Sequence, residues 1–238
     1  MPKSTVDEIR KRFDKDVQRF SNLEVGQTTT IDSPLMLEQV TQASASTNPA
    51  ANHILDVGCG AGNYSLKLLE SLPDVDVTLV DLSQPMLTRA SERIRVVSTG
   101  EIHAVQGDIR DLIFPAGQFD VILAAAVLHH LRGADEWQSV FSKFHHILKP
   151  GGSVWIVDLI EQSTEAVQSL MWECYGNYLT EFKDQDFRDL VFGYIEDEDT
   201  PRPLIFQLDL LRQVGFEQIE ILHKHNLFAA FGAIKAAR

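Results

Sequence analysis

The sequence predicts an α/β protein with a doubly wound, mostly parallel β-sheet. Three observations support this fold class: apolar runs alternate with amphipathic helical segments, a glycine-rich turn follows the first apolar run, and two strand-like segments end the chain. Such alternation is typical of a parallel sheet that helices cover on both faces. The alternating elements are strands at 53–57, 76–81, 101–106, 119–125 and 153–158, and helices at 62–72, 84–98 and 135–148.

The N-terminal part of the chain, before this alternation, is predicted to be helical. Apolar residues recur every three or four positions over 5–20 and predict one helix, and Thr5 followed by Glu8 has the form of a capping box. A polar loop, a second helix and a polar connector follow at 21–33, 34–43 and 44–52.

The C-terminal part departs from the alternation. Residues 163–200 carry helical patterns without a clear strand and end in the acidic run EDED. A helix at 204–214 then precedes two strands, at about 216–222 and 227–235, which a few polar residues separate. This arrangement predicts a β-hairpin that completes the five-stranded parallel sheet.

Composition and charge narrow the range of partners. The 238 residues carry a net charge of −13, so the chain lacks the positive field that attracts nucleic acid over long range. No apolar run approaches the ~18 residues of a membrane span, and the charged N-terminus is unlike a signal peptide. The two cysteines cannot form a disulfide framework. These observations favour a cytoplasmic protein with a small-molecule partner and neither a nucleic-acid nor a membrane partner; they leave a homodimer open.

Glycines and carboxylates follow successive strands, where ligands bind in doubly wound sheets. A G-x-G-x-G turn spans 58–62, Asp81 ends the second strand, and Asp108 follows the third. Asp81 is suited to two ribose hydroxyls, and Asp108 to an adenine amino group. The dinucleotide-binding pattern requires a third glycine where this chain has Asn63. Two carboxylates also disfavour a pyrophosphate and suit a ligand with a positive charge.

Five motifs in order, ILDVGCGAGNYSLKL, VTLVDLSQPML, VQGDIRDL, FDVILAAAVLHHL and LKPGGSVWIVD, resemble those of class I S-adenosylmethionine-dependent methyltransferases. The similarity covers roughly residues 50–160, and the terminal hairpin resembles the sixth and seventh strands of that family. The resemblance implies a Rossmann-like sheet of seven strands in the order 3-2-1-4-5-7-6, S-adenosyl-L-methionine as cofactor, and in-line methyl transfer to a small molecule.

The resemblance also assigns roles to residues. It implies that the glycine turn lines the methionine and ribose, that Asp81 holds the ribose hydroxyls, and that the backbone of Ala124 receives the methionine ammonium. The adenine would lie between Leu82 and Met86, with its edge at Asp108 and Ile109. The implied cofactor-binding set is Asp56, Gly58, Cys59, Gly60, Asp81, Leu82, Met86, Asp108, Ile109 and Ala124.

Structural roles are alternatives for four of these residues. Asp81 can cap the next helix, although Ser83 is already suited to that role. Asp108 can bond its own backbone in a turn, and Met86 can pack in the core. Cys59 is interpreted as a small filler of the turn and not as a nucleophile.

His129 and His130 follow the fourth strand and are the candidate catalytic residues. A histidine there can take a proton from the acceptor at neutral pH, and His129 is the slightly preferred base. The alternative is that these histidines only bond the backbone and that alignment alone drives transfer.

The acceptor side is expected to come from the parts outside the family motifs. Within a single methyltransferase domain, 1–238, these are an N-terminal helical cap at 1–45 and a helical insertion at 160–203. The insertion supplies aromatic residues for an apolar lid, with core packing as the alternative: Trp172, Tyr175, Tyr178, Phe182, Phe187, Phe192 and Tyr194. His223 and His225 alternate near the hairpin turn; exposed loop histidines are preferred over a metal pair, so no metal site is predicted.

Three other functions stay open. The short motif RFD and the chain ending LRQVGFEQIEILHKHNLFAAFGAIKA are similar to the carboxy-S-adenosylmethionine synthase branch, which acts in tRNA wobble-uridine modification. The basic carboxylate-binding cluster of that branch does not align with this chain. A protein that binds the cofactor without catalysis is the second alternative. A nicotinamide-dependent oxidoreductase is the third, disfavoured by Asn63 and Asp108.

Overall fold

The centre of the fold is one mixed β-sheet. A computed structural model describes residues 3–22 and 28–237, and seven strands lie within them. The strands are β1 His53–Val57, β2 Asp76–Asp81, β3 Ile102–Gln106, β4 Phe119–Ala125, β5 Leu148–Leu159, β6 Gln218–His225 and β7 Phe228–Ile234. Their order is β3-β2-β1-β4-β5-β7-β6, and β7 runs antiparallel to both of its neighbours. The predicted sheet and its terminal hairpin are confirmed.

Helices cover both faces of this sheet. They are α1 Val6–Phe13, α2 Val17–Ser21, α3 Ser33–Thr47, α4 Asn63–Leu69, α5 Gln84–Ile94, α6 Ala134–Ile147, α7 Glu165–Phe182, α8 Gln185–Glu198 and α9 Leu204–Val214. One apolar layer joins α3, α4, α5, α7 and α8 to the sheet, and a second joins α6 and α9 to the other face. Because both faces are covered, β1 and β2 are buried along most of their length, which explains their continuous apolar sequences.

The register of the parallel strands aligns the carboxyl ends of β1, β2 and β4. Val57 in β1 pairs with Val80 in β2 and with Ala124 in β4. The chain runs outward from β1 to β3 and returns to pair β4 with β1, so the strand order reverses at this point. The residues after these strands therefore open onto the crevice where such sheets bind ligands.

The predicted helix over 5–20 is two helices in the structure, α1 and α2. The capping box at its start is confirmed, because the Thr5 side chain accepts from the Glu8 N–H and the Glu8 carboxylate accepts from the Thr5 N–H. The break brings the rings of Phe13 and Phe20 within 5.6 Å of each other. Seven residues of a straight helix would separate them by about 10 Å along the axis, so this contact requires the bend.

Other boundaries moved by a few residues. Helix α3 extends to Thr47 and includes part of the predicted connector 44–52. Strand β5 begins at Leu148, before the glycine pair, because Leu148 pairs with Phe119 and a register shift accommodates the intervening residues. Asn226, with φ 54°, forms the hairpin turn, so β6 extends to His225. Of the predicted loop 21–33, residues 23–27 lie outside the described part.

Within 3–22 and 28–237, none of the helices combines the length and the apolar character that crossing a lipid bilayer requires.

Candidate active site

The glycine turn after β1 leaves open space beside its backbone. Gly58 and Gly60 have φ angles of 66° and 51°, in the left-handed region that favours glycine. A Cβ on Gly60 would meet no protein atom within 4 Å, whereas a Cβ on Gly58 would lie 2.6 Å from Val127 Cγ2. The first glycine therefore allows close packing against Val127, and the second keeps a cradle open for a ligand.

Two adjoining cavities meet at this turn. The first, of about 270 Å³, is the β3-side cavity, and its wall includes Asp108, Ile109 and Arg110. The second, of about 280 Å³, is the insertion-side cavity, which lies against α7 and α8. Both cavities are lined by Ile9, Gly58, Asp81, Leu82, Val127 and His130. Because they share these residues, the two cavities are parts of one crevice.

Asp81 lies at the junction of the two cavities. Its Oδ2 accepts from the Gly60 N–H at 2.8 Å, and its Oδ1 accepts from the Ser83 N–H at 2.8 Å. Burial raises the pKa of the Asp81 carboxyl despite these two donors. Ser83 caps α5 by accepting from the Met86 N–H, so Asp81 is left for the crevice.

Asp108 is paired inside the protein. Its carboxylate accepts from the Arg110 guanidinium and from the Arg110 N–H at 2.9 Å, and Arg110 also binds Glu136 at 2.9 Å. Burial opposes ionisation of Asp108, but the Arg110 bonds prevail and lower its pKa. Asp108 therefore both accepts a hydrogen bond within its own turn and lines the β3-side cavity. A ligand amino group at Asp108 would share the carboxylate with Arg110.

Asp56 and Cys59 also line the insertion-side cavity. Asp56 accepts from the Ser65 hydroxyl at 2.6 Å, and burial raises its pKa to about 6. Burial also raises the pKa of the Cys59 thiol well above its ordinary value, which disfavours the thiolate that a nucleophile needs.

The remaining predicted cofactor residues divide into two groups. Leu82, Met86 and Ile109 border the cavities, and Met86 is fully buried as well. Ala124 is buried within the sheet and borders neither cavity. The cavity wall at the end of β4 is formed by Ala125 and Ala126, the latter with φ 52°.

His129 is held between two carboxylates. Its Nδ1 contacts Asp158 Oδ1, its N–H donates to Asp158 Oδ2 at 3.1 Å, and its Nε2 lies 3.6 Å from Asp199 Oδ1. Burial acts to lower the pKa of His129, but Asp199 and Asp158 outweigh it and raise the pKa to about 9. The ring is therefore an imidazolium at neutral pH.

His130 shares Asp199 with this group. Its Nδ1 lies 3.2 Å from Asp199 Oδ1, and its ring packs edge-on against Phe13 at 6.2 Å. Burial favours the neutral form of Asp199, but His129 and His130 prevail and lower its pKa. His130 is thus oriented by a carboxylate and borders both cavities.

Two residues of this cluster were absent from the sequence prediction. Asp158 ends the fifth strand motif VWIVD, so the strand-end rule that selected Asp81 would have found it. Asp199 lies in the acidic run after α8 and reaches the histidines only through the tertiary fold. No local pattern distinguishes it from its acidic neighbours.

The aromatic residues of the insertion have mixed positions. Tyr175, Phe187 and Tyr194 line the insertion-side cavity, while Trp172, Tyr178 and Phe192 pack against the core. Phe182 is half exposed and borders neither cavity. The opposite wall comes from Phe13 and Phe20 of α1 and α2 and from Thr29 and Thr30.

The crevice fits S-adenosylmethionine in its shape and in its charges. The open cradle at Gly60 admits a ligand to the backbone, and Asp81 beside it supplies an acceptor for hydroxyls. Asp56, Asp158 and Asp199 add negative charge around the insertion-side cavity, which suits a ligand with ammonium and sulfonium groups. The chemistry of these residues is therefore consistent with this cofactor.

Comparisons with known proteins support the same assignment. Residues 54–152 match the family model described as a methyltransferase domain. A demethylmenaquinone methyltransferase of Listeria monocytogenes is 28% identical over 176 residues, which cover 71% of this chain and 72% of that protein.

Two solved structures have the same fold. A 1,6-didemethyltoxoflavin-N1-methyltransferase from Burkholderia thailandensis, solved with its acceptor and S-adenosylhomocysteine, has a TM-score of 0.64 at 17% identity, covering 99% of this chain and 92% of that one. Human N-acetylserotonin methyltransferase, solved with S-adenosylmethionine, has a TM-score of 0.62 at 18% identity. The match covers 99% of this chain and 60% of the human protein.

The motifs, strand order, crevice and relatives agree with one another. The protein is an enzyme that uses S-adenosylmethionine, and its motifs, strand order and relatives support a class I S-adenosylmethionine-dependent methyltransferase.

Proposed function

We propose that this enzyme methylates a small, largely apolar acceptor that binds in the insertion-side cavity. The observation that carries this proposal is the wall of that cavity, where Phe13, Phe20, Tyr175, Phe187 and Tyr194 surround a cluster of ionisable groups. The cavity has a volume of about 280 Å³ and its glycine turn also receives the cofactor, so the space left for the acceptor suits only a small molecule.

The N-terminal cap at 1–45 and the insertion at 160–203 form this acceptor side within a single domain. Support comes from contacts between them: the Arg12 guanidinium binds Glu198, and the Tyr175 hydroxyl donates to the Thr29 carbonyl at 2.7 Å. The cap and the insertion thus enclose the acceptor together and exclude water from it.

An uncharged acceptor is favoured over an anionic one. Two arginines line the insertion-side cavity, and each is already paired: Arg12 with Glu198, and Arg19 with Asp16 at 3.2 Å. An acceptor carboxylate would have to displace one of these partners. The same pairing gives no support to a cofactor with an added carboxylate, as in the carboxy-S-adenosylmethionine synthase branch.

The names of similar methyltransferases fit such an acceptor. Demethylmenaquinone and 1,6-didemethyltoxoflavin are the acceptors in the names of two similar methyltransferases. Both names denote ring compounds, and a flat ring suits the aromatic wall described above. With a net charge of −13, the chain as a whole repels nucleic acids.

Bound S-adenosylmethionine supplies an activated methyl group for in-line displacement. The chain's own part is then to hold the cofactor at Asp81 and the glycine turn, to align the acceptor, and to keep water out. Alignment of this kind contributes several kcal/mol, on the order of 7–11 in the best intramolecular cases.

If the acceptor must lose a proton, His130 is the better base of the two histidines. Asp199 at 3.2 Å holds the proton on Nδ1 and leaves Nε2 as the proton acceptor. His129 would act instead as an imidazolium that orients Asp199, because Asp158 and Asp199 raise its pKa to about 9. This order reverses the slight preference for His129 drawn from the sequence.

Transfer of a tritium-labelled methyl group tests the proposal. The purified enzyme is incubated with labelled S-adenosylmethionine and either the ultrafiltrate or the macromolecular fraction of a cell extract. We expect label in an apolar small molecule from the ultrafiltrate. Label that enters only RNA, DNA or protein would contradict the proposal.

The roles of the histidines are tested with the acceptor found in this way. His130→Ala should lower kcat by roughly 10²–10⁴-fold and leave cofactor affinity unchanged. Asp199→Asn should lower kcat less and shift the pH–rate profile. Full turnover in both His129→Ala and His130→Ala would show that alignment alone is sufficient.

A further inference from the structure

A second cluster of ligand-type side chains lies outside the crevice, between the segment before α3 and the terminal hairpin. His223 Nε2 lies 2.9 Å from Asp32 Oδ2, and His225 Nδ1 lies 2.7 Å from the same oxygen. The three ligand atoms all lie within 4.8 Å of one another. We propose that Asp32, His223 and His225 bind a divalent transition-metal ion, with Zn²⁺ as the best match.

The ligand set matches the coordination chemistry of zinc. Imidazole nitrogens and a carboxylate oxygen bind Zn²⁺ at about 2.0–2.2 Å in a tetrahedron, which separates the ligand atoms by about 3.3 Å. The two contacts to Asp32 are shorter than this by about half an ångström. Small side-chain rotations therefore suffice to admit the ion, and a water molecule can complete the tetrahedron.

The backbone directs these side chains toward one another. Asp32 occupies the N-cap position of α3 with φ 57°, yet its carboxylate does not cap the helix. Aspartate at an N-cap normally accepts from the helix N–H groups, a contact worth ~1 kcal/mol. Here the carboxylate points instead at the two histidines.

The hairpin contributes its ligands from an edge strand with a local irregularity. Strand β6 is last in the sheet, and its register with β7 shifts between Ile221 and His223. Such a shift re-aims the following side chains. After it, His223 and His225 project on one side because their separation of two residues matches the period of a strand.

Partial exposure gives an ion access to the cluster. The exposed fractions of the side chains are 36% for Asp32, 20% for His223 and 55% for His225. An ion bound here would tie the hairpin to the segment whose Thr29 and Thr30 line the insertion-side cavity. The Tyr178 hydroxyl already holds this segment by donating to the Thr28 carbonyl at 2.9 Å. The proposed ion would thus hold that wall in place through the hairpin.

Metal titration of the full chain tests the proposal without any acceptor. Protein stripped with EDTA is titrated with ZnCl₂ by calorimetry, and with CoCl₂ by the d–d absorption of tetrahedral Co²⁺. We expect one saturable site. His223→Ala, His225→Ala and Asp32→Asn should each weaken Zn²⁺ binding at least tenfold, while His146→Ala, which removes an exposed histidine on α6, should leave it unchanged.

The same titrations distinguish this cluster from the other potential metal-binding group among the described residues, His129, His130 and Asp199. One site that persists in all three cluster variants but disappears in His130→Ala would overturn the proposal. Absence of saturable binding in the unmodified protein would overturn it equally, and would leave the cluster as two ion pairs on one carboxylate. Circular dichroism of each variant identifies any that fails to fold, and Asp32→Glu, which keeps a ligand oxygen, should restore binding in part.

Discussion

The β3-side and insertion-side cavities are built from different kinds of contact. Around the first, Asp108 pairs with Arg110 two residues away, and Asp81 accepts from Gly60 across 21 residues. Around the second, Arg12 binds Glu198 across 186 residues, and the Tyr175 hydroxyl donates to the Thr29 carbonyl across 146. The carboxylates of the first wall lie at neighbouring strand ends, whereas the second wall forms only when the N-terminal helices meet the insertion.

This difference indicates which substitutions should mainly affect cofactor binding and which should mainly affect the packing of the cavity wall. Substitutions of the strand-end carboxylates should change cofactor affinity more than folding, because the parallel sheet is held by other residues. Substitutions in the insertion-side wall should change its packing first, because each contact joins distant segments.

Asp81→Ala should have the largest effect. The carboxylate is placed to accept two ribose hydroxyls, and hydrogen bonds to a charged group contribute roughly 1.5–3 kcal/mol each. Affinity for S-adenosylmethionine should fall roughly a thousandfold, as measured by calorimetry. Asp209→Ala, at an exposed aspartate of α9, is the control. Unchanged affinity in Asp81→Ala would remove the basis for assigning the ribose to this residue.

Gly58→Ala and Gly60→Ala should separate folding from binding within one turn. A methyl at position 58 meets Val127 at 2.6 Å in a left-handed backbone, so the free energy of unfolding should fall by about 3–4 kcal/mol. At position 60 only the left-handed backbone is penalised, by about 1–2 kcal/mol, but the methyl fills the cradle. Urea denaturation and cofactor titration of both variants test this. Equal losses of stability would contradict it.

The His129 cluster predicts a fall in stability at alkaline pH. The pKa of His129 rises from 6.5 to about 9 on folding, so its stabilising effect is complete below pH 6.5 and lost as pH rises through 9. The expected loss is roughly 3 kcal/mol of the free energy of unfolding. Denaturation curves across this range measure it. The His129→Gln variant should lack the decline and the exposed-site variant His146→Gln should keep it; a decline that persists in His129→Gln would refute the assignment.

Arg12→Met tests the contact between α1 and α8. Glu198 is buried, so loss of its partner should lower the free energy of unfolding by about 2 kcal/mol. The acceptor KM should rise while the cofactor Kd changes little. Lys11→Met, at an exposed pair on the same helix, should produce no measurable change. An equal effect of both variants would mean that the contact does not hold the wall closed.

Most of the strand-end residues expected to bind the cofactor could be predicted from the sequence, because short local motifs mark them. The glycine turn, Asp81 and Asp108 were found from the strand-end rule, and all of them border the crevice. Strand β4 ends at Ala125 as predicted, but Ala124 itself borders neither cavity, and Ala125 and Ala126 form the wall there. Arg110 was not predicted as the partner of Asp108, although it lies only two positions away.

For the acceptor side, the sequence predicted the segments that form it but not which of their side chains border the cavity. The sequence indicated that 160–203 supplies aromatic residues, but it could not decide that Tyr175 borders the cavity and that Trp172 does not. Both lie on the same helix, and the difference depends on which neighbours cover each side. The separation of α1 from α2 had the same origin, in the contact of Phe13 with Phe20.

By itself the sequence determined the doubly wound sheet, the open turn and the carboxylates at the strand ends. These follow from residue periodicity and from backbone conformations that a few neighbouring residues control. Only the tertiary structure decided that Asp199 lies beside His129 and His130, and that Asp32 faces His223 and His225. Such pairs form across long stretches of chain, where the packing of whole elements, and no local preference, brings two side chains together.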